Sequence, residues 1–420
     1  MVASPVGIGI IGASGAFGRF IAEAIEEMGG ARLVAVAGTN EERTQRAAHD
    51  LGAARAYVDY QRLVDDPGVD AVIISTPPGD HAAMGIAAAR AGKAIFMEKP
   101  VALSVDECRD LLTAVRQAGV AATVDFVMRY NAIFDALESW TRAGALGELR
   151  RVDFQNFAAD ESLAPDHWFW DRARSGGILV EHGVHFFDIY GHLISAPPVE
   201  VMGILTTRPG TDQQDKVLAD VRYANGALAS YYHAFDKPSR LERTTAVLGY
   251  DRGYVEVHGW IATALTFDAI VDDAQAALLA ATPHVRLETV ETYADGGGAT
   301  HGNGQDYNVI RHVRGTLELP RSKQDVYRTS VADALRDLIA LMEDRTHRPR
   351  VTLADGVRAV AIARAASDPA EGARIAETWR ELGDEWRVGV YMPTKDSRPP
   401  YSPISHQSLA TRHSPLATYG

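Results

Sequence analysis

Two stretches of this 420-residue chain carry side chains of a type and spacing that suit chemistry. The first is residues 96–100 (FMEKP), where Lys99 lies between Glu98 and Pro100. Proline confines the residue before it to extended conformations, so we expect Lys99 on a rigid, extended backbone. A cation at the end of a strand in a parallel sheet points into the crevice where such sheets bind ligands. The alternative is an ordinary surface pair of lysine and glutamate.

The second stretch is residues 175–188 (SGGILVEHGVHFFD), which has helical periodicity after its glycines. Glu181 and His185 are i,i+4 neighbours on that helix, and its other faces are mostly apolar. A polar stripe on an apolar helix predicts the wall of a buried pocket, and a purely structural helix is the alternative. The adjacent Glu181 and His182 point to different sides of a helix, and the chain has no HExxH motif or cysteine pair. We therefore expect no metal site.

The N-terminal residues predict the scaffold that these side chains need. An apolar strand at residues 6–11 (VGIGII) runs into a glycine turn, and a helix and a second strand follow by residue 37. Strand, glycine turn, helix and strand within about 30 residues form the dinucleotide-binding unit. The spacing is GxxGxxG rather than GxGxxG, so a glycine-rich turn without a ligand is the alternative. The cofactor contacts expected in this turn are Gly12, Ser14, Gly15, Ala16, Phe17 and Gly18.

The position that distinguishes NAD from NADP carries no acid. An acidic residue about 20 positions after the glycines would bind a free ribose 2′-hydroxyl. This chain has Thr39 and Asn40 there, with Arg43 one helical turn further on. These side chains could bind and neutralise a 2′-phosphate, so we expect NAD or NADP, with a slight preference for NADP. The nearby Glu41 and Glu42 weaken that preference, and the alternative is that Asn40 and these glutamates only cap the next helix.

Strands and helices continue to alternate up to residue 127. Further strands are predicted at residues 70–75, 93–97 and 120–127, and helices at 82–91 and 104–118. Ser104 and Glu107 form the capping box that opens the last of these helices. The alternation predicts an α/β fold with a doubly wound parallel sheet.

Three segments together carry a family resemblance. Residues 76–81 (TPPGDH), 91–104 (AGKAIFMEKPVALS) and 124–131 (VDFVMRYN) resemble, in order and spacing, the glucose–fructose oxidoreductase/inositol dehydrogenase/MocA (Gfo/Idh/MocA) family. The resemblance covers roughly residues 6–365. It implies an N-terminal Rossmann domain and a C-terminal domain with a large open sheet. It also implies NAD(P)-dependent oxidation or reduction of a sugar, a cyclitol or a related polyol.

The resemblance also implies roles for single residues. Lys99 matches the active-site lysine of the family and His185 its active-site histidine, within the signature GG-x-L-x-D-x-G-x-H. Glu181 replaces the aspartate of that signature, so we expect it to orient or polarise His185 as part of the catalytic set. Further cofactor contacts are expected from Ser75, Thr76, Pro77, His81, Glu98 and Lys99. Substrate contacts are expected from Lys99, Arg129, Tyr130, Trp168, His182 and His185.

The second half of the chain is rich in predicted strands joined by short turns. They lie at residues 149–157, 199–207, 216–223, 227–234, 243–249 and 253–258. Short turns suit antiparallel hairpins, so this is a second, mostly antiparallel sheet. The resemblance implies that its exposed face forms the interface of a homo-dimer or homo-tetramer.

Three regions follow from these patterns. We expect a Rossmann domain at residues 1–127, a substrate and oligomerisation domain at 128–384, and an extended tail rich in proline and serine at 385–420. The helix at 350–366 is expected to pack back toward the first domain.

Composition limits the class of partner. The net charge of −13 argues against nucleic acid and anionic membranes. No apolar run approaches the roughly 20 residues that span a bilayer. The single cysteine, Cys108, suits a reducing compartment, so a cytoplasmic location is expected.

The leading hypothesis is hydride transfer, with His185 as the base and Lys99 stabilising the developing alkoxide. The two roles could be exchanged. Three rivals remain: a glycosidase of the same fold that uses bound NAD for transient oxidation, a nucleotide-sensing regulator without catalysis, and a reductase of an imine or tetrapyrrole.

Overall fold

The computed structural model describes residues 5–293, 299–302, 304–373 and 375–381. Its first half contains a six-stranded sheet in which every pair of neighbours is parallel, in the order β3-β2-β1-β4-β5-β6. The strands are β1 (Val6–Ile11), β2 (Ala31–Ala37), β3 (Arg55–Tyr57), β4 (Ala71–Ile74), β5 (Ala94–Met97) and β6 (Ala122–Val124). The helices between them are α1 (Ala16–Met28), α2 (Glu41–Asp50), α3 (Tyr60–Val64), α4 (His81–Arg90) and α5 (Val105–Ala118). The doubly wound sheet is therefore confirmed.

Local sequence explains where these elements begin and why the sheet is buried. The central strands β4 and β5 are apolar throughout because helices cover both faces of the sheet. The capping box of Ser104 and Glu107 opens α5 as predicted. The strand order reverses between β1 and β4, and ligands bind in the crevice at such a switch point.

The second half is built on a nine-stranded sheet in the order β14-β17-β13-β12-β11-β7-β10-β9-β8. Its strands are β7 (Leu149–Ala159), β8 (Pro198–Thr207), β9 (Gln214–Tyr223), β10 (Leu228–Lys237), β11 (Arg243–Tyr250), β12 (Gly253–His258), β13 (Ala264–Val271), β14 (Val285–Thr292) and β17 (Arg311–Glu318). Neighbouring strands are antiparallel except β7 and β10. The predicted large, mostly antiparallel sheet is confirmed. A separate hairpin joins β15 (Ala299–Gly302) to β16 (Gln305–Asn308).

The second half also contains helices, which pack on this sheet or against the first half of the chain. They are α6 (Ala132–Arg142), α7 (Arg172–Ser175), α8 (Val184–Ile194), α9 (Asp273–Ala281), α10 (Lys323–Glu343), α11 (Leu353–Ser367), α12 (Pro369–Gly372) and α13 (Ile375–Glu381). The long helix α11 packs on α8 and also reaches α5 and β6 of the first sheet. Gly356 on α11 fits this contact because a Cβ there would lie 2.4 Å from the side chain of Val101.

One predicted helix differs in detail. The expected continuous helix after residue 178 begins instead with a π-helical turn, Leu179–Gly183, and α8 follows it. No helix in the described part of the chain is long and apolar enough to cross a membrane. The predicted tail at residues 385–420 lies outside the described residues.

Candidate active site

One cavity of about 1170 Å³ brings together the two chemical stretches of the sequence. Its walls come from the glycine turn after β1, the carboxyl ends of β4 and β5, and the π-helical turn before α8. The cavity therefore occupies the crevice at the switch point of the first sheet, and the second half of the chain closes it.

The glycine turn packs closely against the backbone that follows β4. Gly12 has a φ of 96°, and a Cβ there would lie 2.1 Å from the carbonyl oxygen of Ser75. The helix α1 starts directly after the turn and has no acidic residue in its first turn. The N-terminus of a helix carries partial positive charge and free N–H groups, so this end of the cavity fits the pyrophosphate of a dinucleotide. All six predicted residues of the turn line the cavity: Gly12, Ser14, Gly15, Ala16, Phe17 and Gly18.

Lys99 links the two halves of the site. Its ammonium Nζ donates to the side-chain Oε1 and to the main-chain oxygen of Glu181, each at 2.8 Å. The Lys99–Pro100 peptide bond is cis. Both ends of the ion pair are largely shielded from solvent, with side-chain exposures of 14% and 15%. A cation from the first sheet is thus fixed by two oxygens from the second half.

His185 lies in the first turn of α8 and is almost fully buried. Its ring is 5.9 Å from that of Trp260 and 6.1 Å from that of Phe126. Burial, together with the positive charge of Lys99, lowers the pKa of His185 well below its usual value. The imidazole is therefore neutral near pH 7. Its Nδ1 is buried without a hydrogen-bond partner among the described residues, and the residue lines the cavity.

Two buried carboxyl groups lie beside Lys99 in the same wall. They are Glu98, at the end of β5, and Asp125, at the end of β6. Burial raises the pKa of Asp125 to about 6. Burial and the neighbouring Asp125 raise the pKa of Glu98. Two neighbouring buried carboxyl groups favour a state in which one of them is protonated.

Comparison with known proteins agrees with this geometry. Residues 6–126 match a family model described as an oxidoreductase family with an NAD-binding Rossmann fold, and residues 134–279 match the GFO/IDH/MocA C-terminal domain. The chain belongs to the Gfo/Idh/MocA family. The resemblance read from the sequence motifs is thereby confirmed.

Curated relatives in the Gfo/Idh/MocA family act on cyclitols. An inositol 2-dehydrogenase from Rhizobium meliloti is 31% identical over 255 residues, which are 60% of this chain and 73% of that protein. A scyllo-inositol 2-dehydrogenase (NAD(+)) from Bacillus subtilis is 32% identical over 203 residues. The second alignment covers 47% of this chain and 58% of the relative's length.

Solved structures of the family share the fold. Levoglucosan dehydrogenase in complex with NADH superimposes with a TM-score of 0.67 at 21% identity, covering 90% of this chain and 98% of the other. A probable dehydrogenase from Thermotoga maritima gives a TM-score of 0.65 at 21% identity, with coverages of 89% and 100%.

Most of the predicted cofactor residues outside the glycine turn also line the cavity. These are Thr39, Arg43, Ser75, Thr76, Pro77, Glu98 and Lys99. Asn40 is absent from the lining because its side chain caps α2 and accepts a hydrogen bond from the N–H of Arg43. The buried His81 ring contacts the carbonyl oxygens of Pro100 and Thr76. Asn40 and His81 therefore shape the surrounding loops.

Two predicted substrate residues lie away from the cavity. Arg129 is buried and makes a two-pronged ion pair with Asp188 of α8, at 2.7 and 2.8 Å. Tyr130 donates its hydroxyl hydrogen to Asp337 of α10 at 2.7 Å. Both side chains lie outside this cavity and are engaged in contacts between elements, so we infer structural roles for them in place of the expected substrate contacts.

The other two predicted substrate residues, Trp168 and His182, do line the cavity. In a regular α-helix, the adjacent Glu181 and His182 would point to different sides. The π-helical turn holds more residues per turn than an α-helix and lets both side chains reach one cavity, and such turns are frequent at functional sites. No group of three or more metal-ligating side chains in the described ranges is arranged to hold a metal ion.

Several lining residues were missed by the sequence argument. They are Asp125, His167, Arg174, Trp260 and Tyr327. Asp125 could have been found, because it ends the strand next to the one that carries Lys99. Trp260 and Tyr327 could not, because they arrive from a turn after β12 and from α10 without a local motif. Their rings pack together at 5.4 Å.

Proposed function

We propose that this member of the Gfo/Idh/MocA family transfers hydride between NAD(P) and a secondary alcohol or ketone carbon of a sugar, cyclitol or related polyol. The observation that carries the proposal is the meeting of Lys99, Glu181 and His185 in the cavity that also holds the glycine turn. The cyclitol and sugar dehydrogenases among the relatives support the substrate class.

In the oxidation direction, His185, Lys99 and Glu181 each have a separate role. Bound nicotinamide would supply the hydride acceptor. The neutral His185 takes the hydroxyl proton at Nε2, because a neutral imidazole has a free lone pair. The ammonium of Lys99 orients the hydroxyl and stabilises the alkoxide, as a positive charge in a dry cavity does best. Glu181 keeps Lys99 in place with its two oxygens.

The cofactor preference that we propose is NADP over NAD. Thr39 and Arg43 line the adenosine end of the cavity, and the acid that would bind a free 2′-hydroxyl is missing after β2. We expect Arg43→Ala to weaken NADP binding about tenfold and to leave NAD binding within about twofold. Equal losses for both nucleotides would remove the argument for NADP.

The primary test is absorbance at the reduced-nicotinamide band with a panel of aldoses, nucleotide sugars and inositols, each with NAD and NADP. We expect turnover that Lys99→Ala abolishes. Lys237→Ala is the matched control, since it removes a lysine outside the cavity. Product formation without net nicotinamide reduction would favour the glycosidase alternative. Tight nucleotide binding without turnover of any compound would favour the sensor.

We also propose a homo-oligomer assembled through the outer face of the nine-stranded sheet. Four large apolar side chains stand exposed there: Met202, Ile204, Val247 and Tyr254. They form two pairs, one on β8 and one on β11 and β12, and pairs of exposed apolar side chains on one sheet face can be buried together by a second copy of the chain.

A further inference from the structure

A short polar chain runs from the nine-stranded sheet to His182. The hydroxyl of Thr244 on β11 donates to Oδ1 of Asn156 on β7 at 2.8 Å. The amide nitrogen Nδ2 of Asn156 lies 3.3 Å from Nε2 of His182. Asn156 is buried, and in the structure its Oδ1 faces Thr244 while its Nδ2 faces His182. The chain therefore ends on one defined nitrogen of a residue in the cavity wall.

This chain decides which ring nitrogen carries the proton. Thr244 occupies the oxygen of the amide, so the NH₂ group of Asn156 faces His182 and donates to it. Nε2 is then the acceptor, and the single proton of a neutral ring must sit on Nδ1. The ring is neutral because burial, with the charge of Lys99, lowers the pKa of His182 to about 3.

The Nδ1–H group is available to a ligand. Nδ1 has no hydrogen-bond partner among the described residues. It is also not among the fully buried polar atoms, and His182 lines the cavity. The rings of Phe235 and His233 pack on His182 at 5.3 and 5.5 Å and hold it in place. Its ring centre lies 6.2 Å from that of His185, so a substrate bound at His185 presents its neighbouring atoms to His182.

We propose that His182 determines specificity as a fixed hydrogen-bond donor to an oxygen on a carbon next to the one that reacts. This inference rests on the proposed dehydrogenase function and deepens it. Asn156 and Thr244 are positioning residues that enforce the donor state. The preferred substrate class is a polyol with an adjacent hydroxyl or ether oxygen. An amino sugar with an ammonium group at that carbon is disfavoured, because an ammonium group can only donate.

The first experiment measures the tautomer and needs no substrate. We expect ¹⁵N-histidine NMR of the full chain to show His182, assigned by its loss in His182→Asn, protonated on Nδ1 alone at pH 7. Thr244→Val removes the hydroxyl that orients Asn156, so a mixture of tautomers should appear. Thr245→Val, on the next residue of the same strand, should leave the spectrum unchanged. A wild-type ring protonated on Nε2 would overturn the inference, whatever the enzyme does.

The second experiment measures kcat/KM for myo-inositol or levoglucosan, whichever turns over, and for analogues lacking one hydroxyl next to the oxidised carbon. We expect the substitution His182→Phe to lower kcat/KM about tenfold for the full substrate and less than twofold for one deoxy analogue. His182→Asn keeps a donor near the δ position and should recover most of the loss. Equal losses on parent and all analogues would overturn the specificity role. Absence of any turnover, with the Nδ1–H tautomer observed, would instead contradict the proposed function.

Discussion

At the scale of single residues, the site depends on how Lys99 is held. Two oxygens of Glu181 bind its ammonium, one from the side chain and one from the main chain. The main-chain bond is independent of the side chain at this position. Replacing Glu181 therefore loosens Lys99 without releasing it.

Glu181→Asp tests this arrangement. The shorter side chain withdraws the carboxylate from Nζ, while the main-chain bond at 2.8 Å remains. We expect kcat to fall about tenfold, the usual effect of losing one charge-assisted hydrogen bond, and KM to change little. The kcat of Lys99→Ala should be more than a hundredfold lower than that of wild type in the same assay. A loss in Glu181→Asp as large as in Lys99→Ala would mean that the position of the carboxylate is essential and that the main-chain bond does not hold Lys99.

Asp125→Asn should change the pH dependence of stability. The folded-state pKa of about 6 lies above the ordinary value of 3.8, so the fold favours the protonated acid. That contribution is complete below about pH 4 and is lost as the pH rises through 6, at a cost of at most about 3 kcal/mol. The asparagine variant escapes this loss, so its melting temperature should exceed that of wild type at pH 7.5 and approach it at pH 4.

Asp212→Asn, at an exposed loop position, is the control and should follow wild type at every pH. An Asp125→Asn variant that melts below wild type at pH 7.5 would contradict the raised pKa.

At the scale of elements, the sequence predicts much but not the π-helical turn. Strands and helices of the first half follow from apolar runs, glycines and the capping box at Ser104. The π-helical turn Leu179–Gly183 contains one residue more than an α-helical turn. Whether a segment forms an α-helical or a π-helical turn depends on the side chains that pack around it rather than on local helix propensity. The family resemblance placed Glu181 and His182 in one site, but the π-helical geometry that brings both side chains there could not be predicted from the sequence.

The same limit explains the correction at Arg129. A cation beside Tyr130 and Asn131 fits a substrate-binding segment when only neighbours in sequence are considered. Its acceptor, Asp188, lies 59 positions away on α8 and becomes its neighbour only in the folded chain. The ion pair between Arg129 and Asp188 therefore forms only when α8 packs against the segment that carries Arg129, so neighbours in sequence do not predict it.

Arg129→Ala should therefore destabilise the fold and spare substrate binding. The side chains of Arg129 and Asp188 are 6% and 2% exposed, and removal of one partner leaves an unpaired buried charge. The expected loss of unfolding free energy is about 3–5 kcal/mol in a denaturant titration. Arg222→Ala, which breaks an exposed pair with Glu200, should cost at most about 1 kcal/mol. A large rise in KM at unchanged stability would restore Arg129 as a substrate contact.

At the scale of the whole molecule, the site exists only where the two sheets meet. Both sheets could be predicted from the sequence. The sequence motifs also identified Lys99 and His185 as candidate catalytic residues without any knowledge of how the two sheets pack together. The sequence did not place Trp260 or Tyr327, since each enters the cavity through the mutual packing of distant elements. The positions of Trp260 and Tyr327 can be predicted only when the packing of the second half of the chain against the first half is known.

The outer face of the second sheet gives the prediction at this scale. Met202 and Ile204 point away from α11, because Gly203 between them faces Ala366 of that helix. We expect light scattering to find an oligomer that the double variant Ile204→Glu, Tyr254→Glu dissociates into monomers, because two charges in an apolar interface are costly. Leu241→Glu, in an exposed turn outside the sheet, should leave the mass unchanged. A wild-type monomer would rule out this interface.

Two of the six tryptophans of the chain, Trp168 and Trp260, stand in the cavity wall. Indole emission overlaps the absorption band of reduced nicotinamide, so we expect a reduced dinucleotide bound in this cavity to accept excitation energy from these rings. Ultraviolet excitation of the protein then produces light from the cofactor and dims the light from the protein. Intrinsic fluorescence thus gives an optical readout of nucleotide occupancy in the unmodified enzyme, before any substrate is known.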